Sequence, residues 1–171
     1  MYGAGDALIG QLIDGTAQEG KRIKREFLSK TPALKRLRED IQNTLAELNR
    51  GRVKRWKRKY LKGLDGRHLP VRSLHSALNL LLQSAGALIC KKWIVETERM
   101  LVEEYGLNHG RDFRFMAWIH DETQCACLNN AIADLVINTA QEAMRRTQEY
   151  FKFRLQLDTE GKKGKNWKDC H

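Results

Sequence analysis

Proline is scarce in this sequence, with two in 171 residues, and no low-complexity tract interrupts the chain. Disorder is therefore disfavoured. A content of 42% hydrophobic and 30% charged residues suits a globular chain long enough for one domain with a core. Long apolar runs are also lacking. The most apolar run, residues 77–90, is interrupted by Asn79, Gln83 and Ser84 and is too short to cross a bilayer, so no membrane partner is expected. The four cysteines (Cys90, Cys125, Cys127, Cys170) show no paired disulfide framework, and no signal-peptide pattern precedes them. A reduced, cytoplasmic setting is the expectation.

Acidic residues are nearly absent from one stretch. From Arg50 to Arg72, ten Lys and Arg face a single acid, Asp65. The formal net charge of +10 arises in the first part of the chain, where residues 1–73 carry 18 Lys+Arg against 8 Asp+Glu. Residues 74–171 carry 13 of each and are neutral. A solvated surface does not need so one-sided a run, and phosphate is the matching ligand class. Leu64-Asp65-Gly66-Arg67 is a turn signal between residues 59–64 and 68–71, which predicts a basic hairpin. Trp56 and Tyr60, interleaved among the cations, are expected to pack on sugar or base. Lys54, Lys57, Arg58, Lys59, Arg67 and Arg72 are the candidate phosphate contacts.

The rest of the first half reads as helices. Asp6 is positioned to cap a short helix over residues 7–13. A second helix is expected over residues 16–28, with Ile23, Phe27 and Leu28 inward. Thr31-Pro32 is a start signal for a third, in which Leu34, Leu37, Ile41, Leu45 and Leu48 form one stripe. Ser73 is expected to cap a long helix over residues 74–105, the core of the domain. On that helix His75, Asn79 and Gln83 are spaced by four and share a face. They are either core hydrogen-bonding groups or a ligand-facing edge.

The second half turns on residues 113–127. Residues 113–119 are aromatic and branched, as in a strand, and a second short strand follows an acidic bend at His120-Asp121-Glu122. Counting by twos puts Asp121 on the face of Phe113 and Phe115, and Glu122 on the face of Met116 and Trp118. Two adjacent acids at the end of an apolar strand need a cation, from protein or metal. Cys125-x-Cys127 places both sulfurs on one face. No second pair has ligand spacing, so buried strand cysteines are favoured over a zinc site with His120, Cys170 and His171. Residues 131–150 read as an amphipathic helix. Residues 151–157 alternate strictly and read as a strand joining the same sheet, and Trp167 is expected to tuck back. The class is α+β, several helices packed on a small antiparallel sheet.

In this order the residues resemble family A (DNA polymerase I-like) DNA polymerases. His120-Asp121-Glu122 resembles motif C. Tyr2-Gly3-Ala4-Gly5 is similar to the segment closing the fingers helix, Lys62 to Arg67 to the basic hairpin, and Asn79-x-x-x-Gln83 to the polar stripe. Asp158-Thr159-Glu160-Gly161 through Trp167 and His171 is most similar to the bacteriophage branch. The resemblance covers essentially the whole chain and implies residues 1–50 as fingers-derived helices, 51–72 as the basic hairpin and 73–171 as palm.

It further implies template-directed nucleotidyl transfer in phage DNA replication, with primer-template DNA and deoxynucleoside triphosphates as partners and two Mg²⁺ ions as cofactors. On that resemblance Asp121 is the bridging metal ligand, Glu122 a weaker or outer contributor, and His120 lies beside the primer terminus. Asn79 and Gln83 touch the minor groove, and Tyr2 stacks near the templating base. The pattern departs from the family in two ways. No Asp-Tyr-Ser-x-x-Glu motif supplies a second catalytic aspartate, and the triphosphate-gripping fingers helix does not occur. His75 also stands where many relatives have Arg. The chain is therefore expected to be the C-terminal piece, inactive alone and completed by an N-terminal remainder. A non-catalytic nucleic-acid-binding remnant is the alternative.

Overall fold

A computed structural model describes residues 5–170. Tyr2 and His171 lie outside the described residues. The described residues fall into two compact units, divided between Ala85 and Gly86.

The first unit begins with three helices: α1 (Asp6–Gln11), α2 (Ala17–Lys30) and α3 (Pro32–Leu45). Gly5, not Asp6, is the cap of α1, and Asp6 sits in its first turn, where Lys24 reaches its carboxylate at 3.2 Å. Helix α2 opens with a capping box: Thr16 Oγ1 accepts from the Glu19 amide, and the Glu19 carboxylate accepts from the Thr16 amide at 2.7 Å. The α1–α2 crossing depends on glycine, because a Cβ on Gly20 would collide with the Asp6 carbonyl. Pro32 starts α3 as expected. Thr31 does not cap it, and its hydroxyl turns back to the Phe27 carbonyl at 2.8 Å.

The stripe read into α3 stops one residue set early. Leu45 ends the helix, and Leu48 lies in β1 (Ala46–Asn49), exposed. Strand β1 pairs antiparallel with β2 (Arg52–Trp56), a hairpin that was not expected. Its two-residue turn, Arg50-Gly51, has positive φ at both positions (48° and 78°), the geometry that matches strand twist and that Gly51 makes accessible. The predicted hairpin is present as β3 (Tyr60–Lys62) paired with β4 (His68–Pro70). Ile41, Leu45, Leu61, Leu69, Val71 and Ala77 form the core here. Trp56, half-buried, packs against that core.

Helix α4 (Ala77–Arg99) starts in the first unit and ends in the second. It begins three residues later than expected. Ser73 Oγ does accept from the Ser76 amide, but residues 74–76 are a turn. Its last turn widens into a π-helical segment, Met100–Glu104, so regular α-helix does not run to Tyr105.

In the second unit, β5 (Phe113–Ile119) and β6 (Glu122–Cys127) form a two-stranded antiparallel hairpin. Helix α5 (Asn130–Phe151) follows, capped by Asn129 Oδ1, which accepts from the Ile132 amide at 2.9 Å. Two clusters make the core: Trp93, Met100, Ala143 and Met144, and then Leu101, Phe113 and Val136. The strand expected over 151–157 does not form. Phe151 closes α5, Lys152 takes the left-handed conformation that ends it, and Leu157 returns onto α5 through its amide to Gln148 Oε1 at 2.7 Å. Trp167 opens a short helix, α6 (Trp167–Cys170), and is half exposed rather than tucked in. The α+β class holds, although the strands form three separate hairpins and not one sheet. Among the described residues, no helix is long and apolar enough to cross a membrane.

Candidate active site

Strand β5 is anchored at its start and exposed at its end. Phe113 is fully buried against Leu101 and Val136, and Asp112 fixes the loop before it. The Asp112 carboxylate accepts from the Arg111 guanidinium and then from the Asn108 amide at 2.8 Å, which hold its pKa down at about 2. A bulge at Met116 leaves Phe115 opposite Cys125 and Ala117 opposite Gln124. The strand then closes through a two-residue turn, His120-Asp121, with Ile119 opposite Glu122. His120 has φ 56°, a left-handed conformation that His tolerates better than most residues. Trp118 braces it, its Nε1–H donating to the His120 carbonyl at 2.8 Å.

Bulge and turn together correct the face assignment. Strict alternation cannot be counted from Phe113 to Glu122, and Asp121 belongs to the turn. Its carboxylate is exposed and makes no ion pair among the described residues. Glu122 is half-buried on β6, and the Gln124 amide donates to it. Among the described residues, no Lys or Arg pairs with Asp121 to supply the cation expected against the acids. Asp121 nevertheless acts electrostatically on α4: burial first, and then the Asp121 charge, push the Cys90 thiol pKa up.

The basic residues divide into two sets. Lys54 and Arg55 pair with Glu47 at 2.8 and 3.8 Å, and Arg67 pairs with Asp65. Lys57 donates to the Asn43 carbonyl at 2.9 Å, and Arg58 lies over the Tyr60 ring at 5.7 Å. Tyr60 itself stacks on His68 at 4.0 Å. These groups have structural work. Lys59 and Arg72 are exposed and make no ion pair among the described residues, as are Arg50 and Arg52 at the β1–β2 tip. The last two were counted in the basic run but not singled out. The Arg50-Gly51 dipeptide between Leu48 and Val53 is the turn signal that marks them.

The polar stripe is only partly helical. Asn79 and Gln83 lie one turn apart on α4, whereas His75 is exposed in the preceding turn. Asn79 Oδ1 is buried with no hydrogen-bond partner among the described residues. Such an acceptor is costly to leave unmet.

The family sequence pattern described as DNA polymerase family A matches residues 1–169. The chain belongs to this family. It is 56% identical to the DNA-directed DNA polymerase of Enterobacteria phage T3 and 55% identical to that of Escherichia phage T7. Each alignment covers 100% of this chain and 25% of the relative. The DNA-directed DNA polymerase of Escherichia phage Phieco32 is 28% identical over 99% of the chain. The chain therefore spans about a quarter of the length of the curated relatives it matches.

For a family A chain, the donor set can be tested against the divalent ions expected above. Carboxylate oxygens are the donors Mg²⁺ takes, and Asp121 presents one to solvent. Among the described residues, no group of three or more His, Cys, Asp and Glu could hold a metal. Asp121 and Glu122 fit a part of such a site, not the whole of it.

Proposed function

We propose that this chain is the part of a phage DNA-directed DNA polymerase that brings the motif C carboxylate to template-directed nucleotidyl transfer in the bacterial cytoplasm. The supporting observation is the β5–β6 turn: Asp121 stands exposed at the tip of a hairpin whose base is buried at Phe113, in a family A chain. Asp121, with Glu122 as a weaker contributor, would hold Mg²⁺, the remaining ligands coming from the three-quarters of the polymerase length that this chain does not span. Bound there, Mg²⁺ supplies Lewis acidity toward the reacting phosphoryl group. What the chain's own residues do is position. Phe113 fixes the strand, Trp118 holds the His120 carbonyl, and His120 takes the left-handed turn that projects Asp121.

Nucleic-acid contact is assigned to Arg50, Arg52, Lys59 and Arg72, which make no ion pair among the described residues, with Asn79 and Gln83 as minor-groove groups. Gln83, exposed one turn along α4 from Asn79, is the more accessible of the two. Deoxynucleoside triphosphates and primer-template DNA are the substrates, and the remainder of the polymerase is the required partner. The test is complementation. The chain is mixed with a polypeptide supplying the other three-quarters, and Mg²⁺-dependent primer extension is measured. Extension by the mixture and not by either part supports the proposal. Duplex binding without extension would favour the non-catalytic nucleic-acid-binding remnant, which the exposed β1–β2 tip also suits.

A further inference from the structure

Cys125 and Cys127 stand out because their sulfurs are 3.9 Å apart on one side of β6. We propose that the two thiols form a bidentate site for a single thiophilic ion. The separation suits chelation. Two metal–sulfur bonds of about 2.3 Å at a tetrahedral angle span about 3.8 Å between sulfurs. It suits a disulfide poorly. Residues two apart on a strand have Cα atoms about 6.4–6.8 Å apart, at the far end of the disulfide range. The pair thus stays reduced yet preset for a soft ion.

Three further observations support the site. Both cysteines are half-buried, so they are not sealed from an entering ion. Their strand partners are Phe115 opposite Cys125 and Phe113 opposite Cys127, and both thiols pack on the cluster of Leu101, Phe113 and Val136. This wall fixes the two side chains on one side of the strand, and thiolate donors are the class that soft ions select. The hydrogen bond between the thiols lowers the pKa of Cys127 and, with burial, raises that of Cys125. In binding Cd²⁺, two S–H protons pass to solvent, two S–Cd bonds form and two bound waters leave, with no change in oxidation state. With phenylarsine oxide, the two protons leave with the oxygen as water, and arsenic stays trivalent.

The site stands independently of the catalytic role given to Asp121. The test uses the whole chain under reducing-agent-free, anaerobic conditions. Cd²⁺ titration is followed by thiolate charge-transfer absorption in the near ultraviolet. One tight equivalent per chain is expected, removed by a small dithiol but not by an equal concentration of monothiol. Cys125→Ala or Cys127→Ala should each weaken binding by about 100-fold, because the second thiolate binds at a high effective concentration. Cys90→Ala and Cys170→Ala should leave it unchanged. A second measurement needs no variant: phenylarsine oxide should protect two cysteines from alkylation, mapped by mass spectrometry to Cys125 and Cys127. Protection of other cysteines, protection of none, or binding retained by the Cys125 and Cys127 variants would overturn the proposal.

Discussion

Glu96 offers the most quantitative test of the second unit. It is buried on α4, yet carries a charge. Arg99 donates to it through Nη2 at 2.6 Å and Nε at 3.2 Å, and Lys92 Nζ at 3.1 Å. Arg146 of α5 approaches at 3.8 Å and binds Glu104 at 2.6 Å, so the cluster ties the π-helical segment to α5. Hydrogen bonding from Arg99, and then Lys92, lowers the Glu96 pKa from 4.5 to about 2 against the opposing effect of burial. That difference corresponds to about 3 kcal/mol of preference for the carboxylate in the folded state. A depressed folded pKa means that the contribution is fully present above pH 4.5. It is lost as pH falls toward 2. Glu96→Gln keeps the shape and one acceptor, and should cost about 2–3 kcal/mol at pH 7. Urea denaturation followed by far-ultraviolet circular dichroism at pH 7, 4 and 2.5 measures it. The gap between variant and parent should shrink as the pH drops. A cost below about 0.5 kcal/mol at pH 7, or a gap unchanged at pH 2.5, would refute the reasoning.

Other outcomes follow from single contacts. Phe113→Ala should cost about 3–5 kcal/mol, since the ring is fully buried, and its thermal melt should show the loss. Gly20→Ala should cost about 2 kcal/mol and raise proteolytic cleavage near α1, because its Cβ meets the Asp6 carbonyl. Replacing Arg50, Arg52 and Lys59 by Ala should weaken duplex binding and flatten the salt slope by roughly 2–3, read from binding isotherms at several ionic strengths. An unchanged slope would return those side chains to a merely solvated surface.

Helices and the acidic hairpin were legible in the sequence because their signals are local. Pro32 and the strand–bend–strand of residues 113–127 each carry their geometry in a few adjacent residues. What failed depended on partners distant in the chain. Residues 151–157 alternate like a strand, but the β5–β6 hairpin takes no third strand among the described residues, and Leu157 packs against the cluster of Trp93, Met100, Ala143 and Met144 instead. Leu48 continued a helical period that a second hairpin interrupts. The bulge at Met116 is not encoded by alternation, so the faces of Asp121 and Glu122 could not be counted from Phe113. Charge patterning located the basic stretch but could not show which cations are already paired. Glu47, outside that stretch, occupies two of them.

The central claim, that the β5–β6 turn presents a metal-binding carboxylate for nucleotidyl transfer, rests on Asp121. Its direct test is the single-turnover nucleotide incorporation rate of Asp121→Asn in the completed polymerase, at saturating Mg²⁺ and with duplex affinity measured in parallel. Removing several kcal/mol of charge stabilisation predicts a fall of at least about 100-fold with DNA binding retained. Incorporation within a few-fold of the parent rate would contradict it.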